Sequence, residues 1–230
     1  MSLRYIPPRA ERGAIPHLWV PETLGDLCRR VEGAAVVQVG GNCPDFDYHC
    51  PFISLPRAFV GTDAAMGAAP PYLRADPVKV REARRLLPAN GKLNVGLVWG
   101  GAPRPHLSSA MMLDRRRSMP LATLDPLGKI AGINLVSFQK GPYADEGVTL
   151  PCGKKLLDLM PRAQTTDDTA AFLTGMDGLV SVDTSLVHLA GGLGIPVLLM
   201  DRFDNCWRWL SGRDDSVWYP DLTIVPDPSP

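Results

Sequence analysis

The stretch 181–197, SVDTSLVHLAGGLGIPV, decides the fold. An apolar run, Gly178-Leu179-Val180-Ser181-Val182, stops at Asp183-Thr184-Ser185. A helix-like segment then begins, carries His188 one turn in, and ends among Gly191, Gly192 and Gly194. A second apolar run, Ile195 to Met200, follows. Short, continuous apolar runs are strands buried on both faces, and a strand–helix–strand unit of this length builds a parallel sheet.

The same rhythm extends in both directions from this unit. Residues 93–99 (LNVGLVW) and 133–139 (INLVSFQ) predict buried strands, and 222–225 (LTIV) a last one. Between them, 119–130 reads as helical with a break at Pro126, and 166–176 as a helix capped by Thr166 or Asp167. The fold class is therefore α/β, a doubly wound Rossmann-like parallel sheet over residues 92–230. Upstream, 76–87 predicts a helix with Asp76 as N-cap and Pro77 at its first position. Residues 61–73 are rich in small residues and proline and read as a linker, so 61–91 is a linker plus connecting helix. Residues 1–60 hold an apolar piece at Ile15, Leu18 and Val20, a helix candidate at 21–32 and a strand candidate at 35–39, a small α/β fragment.

Composition excludes several classes. The 230 residues carry equal numbers of acidic and basic side chains, which argues against nucleic acid or an acidic membrane as partner. No apolar stretch is long enough to span a bilayer, and the first residues lack a signal-peptide core. Five cysteines without a CxxC spacing read as reduced thiols of a cytoplasmic protein. Cys43, His49 and Cys50 lack a convincing fourth ligand nearby and read as structural rather than metal-binding.

Ligands of such sheets bind beyond the carboxyl ends of the strands. Three of those ends are distinctive here: Trp99-Gly100-Gly101, Phe138-Gln139-Lys140 and Asp183-Thr184-Ser185. Gly100 and Gly101 let backbone approach a ligand, Lys140 offers a cation, and Thr184 and Ser185 offer hydroxyls. A helix starting at 184–185 presents free N–H groups and the positive end of its dipole, a natural anion site. His188 lies on the face of residues 184 and 185 and is either a donor to the same anion or a core histidine bonded to a carbonyl. Arg115, Arg116 and Arg117 fall in the loop after the first of these strands. They are a solvated basic run, unless one folds inward as a phosphate clamp. A Ser-His-Asp hydrolase is poorly supported: there is no G-x-S-x-G elbow, and Asp183, Ser185 and His188 are too close in sequence. No Asp-x-Asp motif stands at these strand ends to hold a metal against a diphosphate.

The segments VGLVWGGAPRPHLSSAMMLDRRRSMPL, LVSFQKGP, DDTAAFLTGMDGLVSVDTSLVHLAGGLGIPV and RWLSGRDDSVWYP resemble the C-terminal domain of bacterial tetratricopeptide-repeat glycosyltransferases. These are similar to the heptosyltransferase and O-linked N-acetylglucosamine transferase groups, with a GT-B fold. FDYHCPFISLPRAF and PYLRADP resemble the end of that family's N-terminal domain and its linker. The resemblance implies that residues 92–230 bind a nucleoside-diphosphate sugar without a metal or other cofactor. Asp183, Thr184, Ser185 and His188 would cradle the diphosphate and Arg117 would neutralise its charge. Gln139, Lys140, Asp168 and Thr169 would line the nucleotide side. The acceptor would be a protein, lipid or glycan. The family's first N-terminal strand, its Gly-rich loop with a Gly-Asp pair, its repeats and its closing C-terminal helix have no counterpart in these residues, and SSAMMLDRRR is more apolar than the family's pattern. The expectation is a donor-binding part with a remnant of the N-terminal domain, incomplete for catalysis by itself. Two alternatives stay open: a non-catalytic module of this fold, and an unrelated α/β enzyme acting on a phosphorylated sugar.

Overall fold

The apolar runs between residues 93 and 226 form one parallel sheet. A computed structural model describes residues 1–42, 45–62, 65–104 and 106–227. In chain order these contain α1 (Ile6–Ala10), β1 (His17–Val20), α2 (Glu22–Cys28), β2 (Val36–Val39), α3 (Leu55–Ala58), α4 (Pro77–Arg85) and β3 (Leu93–Val98). There follow α5 (Ser108–Arg117), α6 (Asp125–Gly128), β4 (Ile133–Ser137), β5 (Leu157–Asp158), α7 (Thr166–Leu173), β6 (Gly178–Val182), α8 (Ser185–Leu193), β7 (Val197–Asp201) and β8 (Leu222–Pro226). Cys43, considered above with His49 and Cys50, lies outside the described residues.

The six-stranded sheet has the order β5-β4-β3-β6-β7-β8, all parallel. Successive side chains alternate between its faces. Val98, Val136 and Leu179 point into one core, and Leu97 and Leu135 into another with Trp99 and Leu150. Both faces are covered, which is why the strands read as unbroken apolar runs. β1 and β2 form a separate parallel pair with Val20 opposite Val39. Leu18, Val20 and Leu27 of this N-terminal layer share one continuous core with Leu173, Val187 and Leu199.

Several boundaries differ from the sequence reading for identifiable reasons. The helix at 166 starts one residue earlier than expected. Thr165 is its N-cap and forms a capping box with Asp168, so neither Thr166 nor Asp167 fills that role. The 119–130 segment splits into a tight turn at Leu121–Leu124 and α6, because Pro126 suits only the first turn of a helix. The three arginines are not in a loop: they form the last turn of α5, where basic side chains complement the helix dipole. The stretch read as a linker is packed. Tyr72 and Leu73 are buried, and both their amides donate to the Gly192 carbonyl on α8, at 3.1 and 2.9 Å. β5 has only two residues, too few for an apolar period.

The N-terminal layer is tied to the sheet by charge as well as by packing. Asp167, at the start of α7 and buried, pairs with Arg30 and with Lys79 of α4, while Lys79 Nζ reaches Asp168 Oδ1 at 2.6 Å. Both partners hold the Lys79 ammonium above its ordinary pKa, chiefly through the Asp168 hydrogen bond. Among the described residues, no helix is long and apolar enough to cross a membrane.

Candidate functional site at the strand-order switch

The chain runs outward from β3 to β4 and β5, then returns to lay β6, β7 and β8 on the other side of β3. Strand order therefore reverses between β3 and β6, and the crevice at their carboxyl ends is where open α/β sheets hold ligands. Trp99-Gly100-Gly101 leaves β3 on one side of it. Asp183-Thr184-Ser185 leaves β6 on the other.

Thr184 is the N-cap of α8; its Oγ1 accepts from the Leu186 amide at 3.3 Å and lies 3.3 Å from Ser181 Oγ. Ser185 opens the helix and is exposed, whereas Asp183 is half-buried. The helix ends at Gly194, whose φ of 77° is a left-handed cap that few other residues accept. The helix start thus presents its positive end at the crevice.

Arg117 reaches the same place from the end of α5. Its Nη1 donates to the Asp183 carbonyl at 3.1 Å, while Nε and Nη2 donate to Asp114 Oδ1 at 3.1 and 2.9 Å. Asp114 is fully buried, and the Tyr143 hydroxyl donates to its Oδ2 at 3.2 Å. Arg115 is exposed, and Arg116 is exposed and pairs with Asp204. One arginine of the three thus folds inward.

Gly100 and Gly101 make room for side chains of this chain. A Cβ on Gly100 would fall 2.2 Å from the Tyr143 ring, and one on Gly101 would fall 2.2 Å from Arg117 Nη2. Gln139 is likewise engaged internally. Its Oε1 accepts from the Trp99 and Gly100 amides at 3.0 and 2.9 Å, and its Nε2 donates to the Gly100 and Lys140 carbonyls. It staples the ends of β3 and β4 together.

Lys140 Nζ donates to the Ala163 carbonyl at 2.7 Å. Asp168 accepts from Lys79 on one oxygen and from the Gln164 and Thr165 amides on the other. The Thr169 hydroxyl donates back to the Thr165 carbonyl at 3.2 Å, and the residue is buried. All three side chains thus have internal partners.

His188 meets aromatic side chains. Its Nδ1 lies 3.0 Å from the Tyr219 hydroxyl, and its ring stacks on Trp209 with centroids 5.2 Å apart. Burial above all, then the amino terminus and Arg208, pushes its pKa down to about 3. It is therefore neutral near pH 7 and offers a hydrogen bond but no positive charge. If the Tyr219 hydroxyl donates to Nδ1, the proton sits on Nε2, which has no partner among the described residues. Gly191 faces the same tyrosine; a Cβ there would meet its ring at 2.5 Å.

Five residues of this neighbourhood were not read from the sequence: Asp114, Tyr143, Asp201, Trp209 and Tyr219. Asp114 had a visible signal, an acid three residues before Arg117 on one helix face. Asp201 ends β7 beside Asp183; burial first, then the Asp183 charge, raises its pKa to about 6. Among the described residues, no cluster of three or more His, Cys, Asp or Glu side chains is placed to hold a metal ion.

No family model matches the chain, and no curated protein matches it. Among solved structures, ADP-heptose LPS heptosyltransferase II of E. coli superposes with a TM-score of 0.50 at 14% identity, covering 76% of this chain and 52% of that one. The fold is the Rossmann-like one of a GT-B glycosyltransferase. E. coli heptosyltransferase WaaC with ADP gives a TM-score of 0.43 at 17% identity, covering 71% of this chain and 47% of that one. The chain spans about half the length of these enzymes. Its GT-B-type sheet places the crevice between β3 and β6 at its centre.

Proposed function

We propose that this chain is the nucleotide-sugar-binding part of a glycosyltransferase, with the donor's diphosphate held at the start of α8. One observation carries the reading. At the strand-order switch, a helix N-terminus and a half-buried arginine converge, with Arg117 Nη1 on the Asp183 carbonyl at 3.1 Å. Backbone N–H groups at 184–186 would donate to the phosphate oxygens, and Arg117 would add charge by rotating from the carbonyl while keeping Asp114. His188 would supply a neutral N–H from Nε2. The heptosyltransferase that shares the fold is named for ADP-heptose, so ADP and ADP-sugars head the set of ligands to try.

In this reading residues 92–230 form the donor domain, 61–91 the connection and 1–60 a part of the facing domain, as in the tetratricopeptide-repeat glycosyltransferases that the sequence resembles. The acceptor hydroxyl and the base that deprotonates it would come from a more complete facing domain, so the 230 residues alone bind the donor without useful turnover. The internal partners of Gln139, Asp168 and Tyr143 favour a second reading, a module of this fold that binds without transferring. A thermal-shift panel of ADP, UDP, GDP and CMP with their sugars tests binding. Incubation of the best ligand with peptide, lipid and glycan acceptors separates the two readings. Stabilisation by none of these at millimolar concentration would remove both.

A further inference from the structure

A cavity lies at the carboxyl ends of β1 and β2, and none of its lining residues belongs to the β3–β6 crevice. It has a volume of about 620 Å³ and is lined by Trp19, Val20, Pro21, Glu22, Val39 and Gly40. Its size is in the range of small-molecule sites.

The cavity is built by strand alternation. Leu18 and Val20 point into the core, which sends Trp19 to the opposite face of β1, where it is 53% exposed. The indole is nevertheless fixed. Its Nε1 donates to the Gly40 carbonyl at 3.2 Å, and Gln38 Nε2 donates to the same carbonyl at 3.0 Å and to that of Asn42 at 2.6 Å. The polar edge of the ring is thus tied to the rim, while about half of Trp19 stays exposed. Glu22 stands beside it, exposed and with no hydrogen-bond or ion-pair partner among the described residues.

A fixed indole face and a free carboxylate select among ligand classes. The indole face is electron-rich and attracts polarised C–H groups. The carboxylate accepts hydrogen bonds from hydroxyls, and such charge-assisted bonds are short and strong. A nucleotide or sugar phosphate would meet the Glu22 charge with no basic side chain in the lining to offset it. A methylated ammonium favours several aromatic walls around a small volume. Here the lining holds one aromatic side chain, with Val20, Pro21 and Val39, around a space far larger than such an ion.

We propose that this cleft binds a neutral saccharide, with one pyranose ring lying on the Trp19 indole and a ring hydroxyl donating to the Glu22 carboxylate. The proposal stands on this cavity alone and does not depend on nucleotide binding at the other crevice. The test follows the Trp19 indole N–H signal by NMR, assigned with Trp19→Phe, while cellobiose, maltose, lactose and choline chloride are each titrated. Saturation-transfer NMR reads binding in Trp19→Ala and Glu22→Gln. The expected result is a saturable shift with at least one disaccharide at a Kd of about 1 mM or tighter. Each variant should weaken binding roughly tenfold, with folding intact by circular dichroism. Trp207→Ala, which removes an exposed tryptophan elsewhere, should not change binding. No shift with any sugar overturns the proposal, as does a response to choline alone or unchanged binding in both variants.

Discussion

Arg117 joins the end of α5 to the end of β6: its guanidinium lies between the fully buried Asp114 carboxylate and the Asp183 backbone carbonyl, at 2.9 and 3.1 Å. That one side chain is both a structural clamp and a positive charge beside the start of α8. Arg117→Ala should therefore lower stability, because it strands Asp114 as a buried charge. The cost should be about 3 kcal/mol, read as a shift in the urea midpoint. Arg115→Ala should change it little, since that residue is exposed. Gly101→Ala should resemble Arg117→Ala, because the added Cβ takes the place of the guanidinium. Equal, negligible effects of all three would mean that the clamp contributes nothing.

Asp168→Ala should cost about 1–2 kcal/mol of stability, because it opens the capping box at Thr165 and releases Lys79. Thermal denaturation checks this directly. Asp168→Asn should lose less, since its side-chain oxygen can still accept from the Thr165 amide.

Two groups near the crevice make stability depend on pH in opposite directions. His188 has a folded-state pKa of about 3 against an ordinary 6.5. The unfolded chain binds its proton first, so this stability is complete above 6.5 and is lost as pH falls toward 3. Asp201 has a folded-state pKa of about 6 against an ordinary 3.8. The folded chain binds its proton first, so its contribution is complete below 3.8 and is lost as pH rises through 6. Denaturation curves across this range should show less acid destabilisation in His188→Gln than in the parent. Asp201→Asn should show a steeper acid loss than the parent. The reverse ordering would place neither residue in the surroundings described here.

The sheet was legible because its strands are buried on both faces, which leaves unbroken apolar runs at 93, 133, 178 and 197. The cap at Asp76 and the start of α8 were legible from local chemistry alone, Asp-Pro and Thr-Ser before a helical period. What stayed hidden depends on contacts between distant segments. Nothing local in QKGP says that the Gln139 amide staples two strand ends, or that Gly100 is small for the sake of Tyr143. The Tyr219 hydroxyl beside His188 Nδ1 comes from 31 residues away, and it is burial above all that keeps this imidazole neutral near pH 7. The arginine run was placed in a loop because Gly and Pro upstream mask the start of α5.

The central claim is that the crevice between β3 and β6 holds a nucleoside diphosphate. The most direct measurement is amide and arginine Nε chemical-shift mapping of the whole chain on titration with ADP, and then with UDP and GDP. The account predicts a saturable response from at least one of them. The largest shifts should fall at the Ser185 and Leu186 amides and at Arg117 Nε, with little change at Trp19. Saturable shifts centred elsewhere, or none from any of the three nucleotides at millimolar concentration, would contradict it.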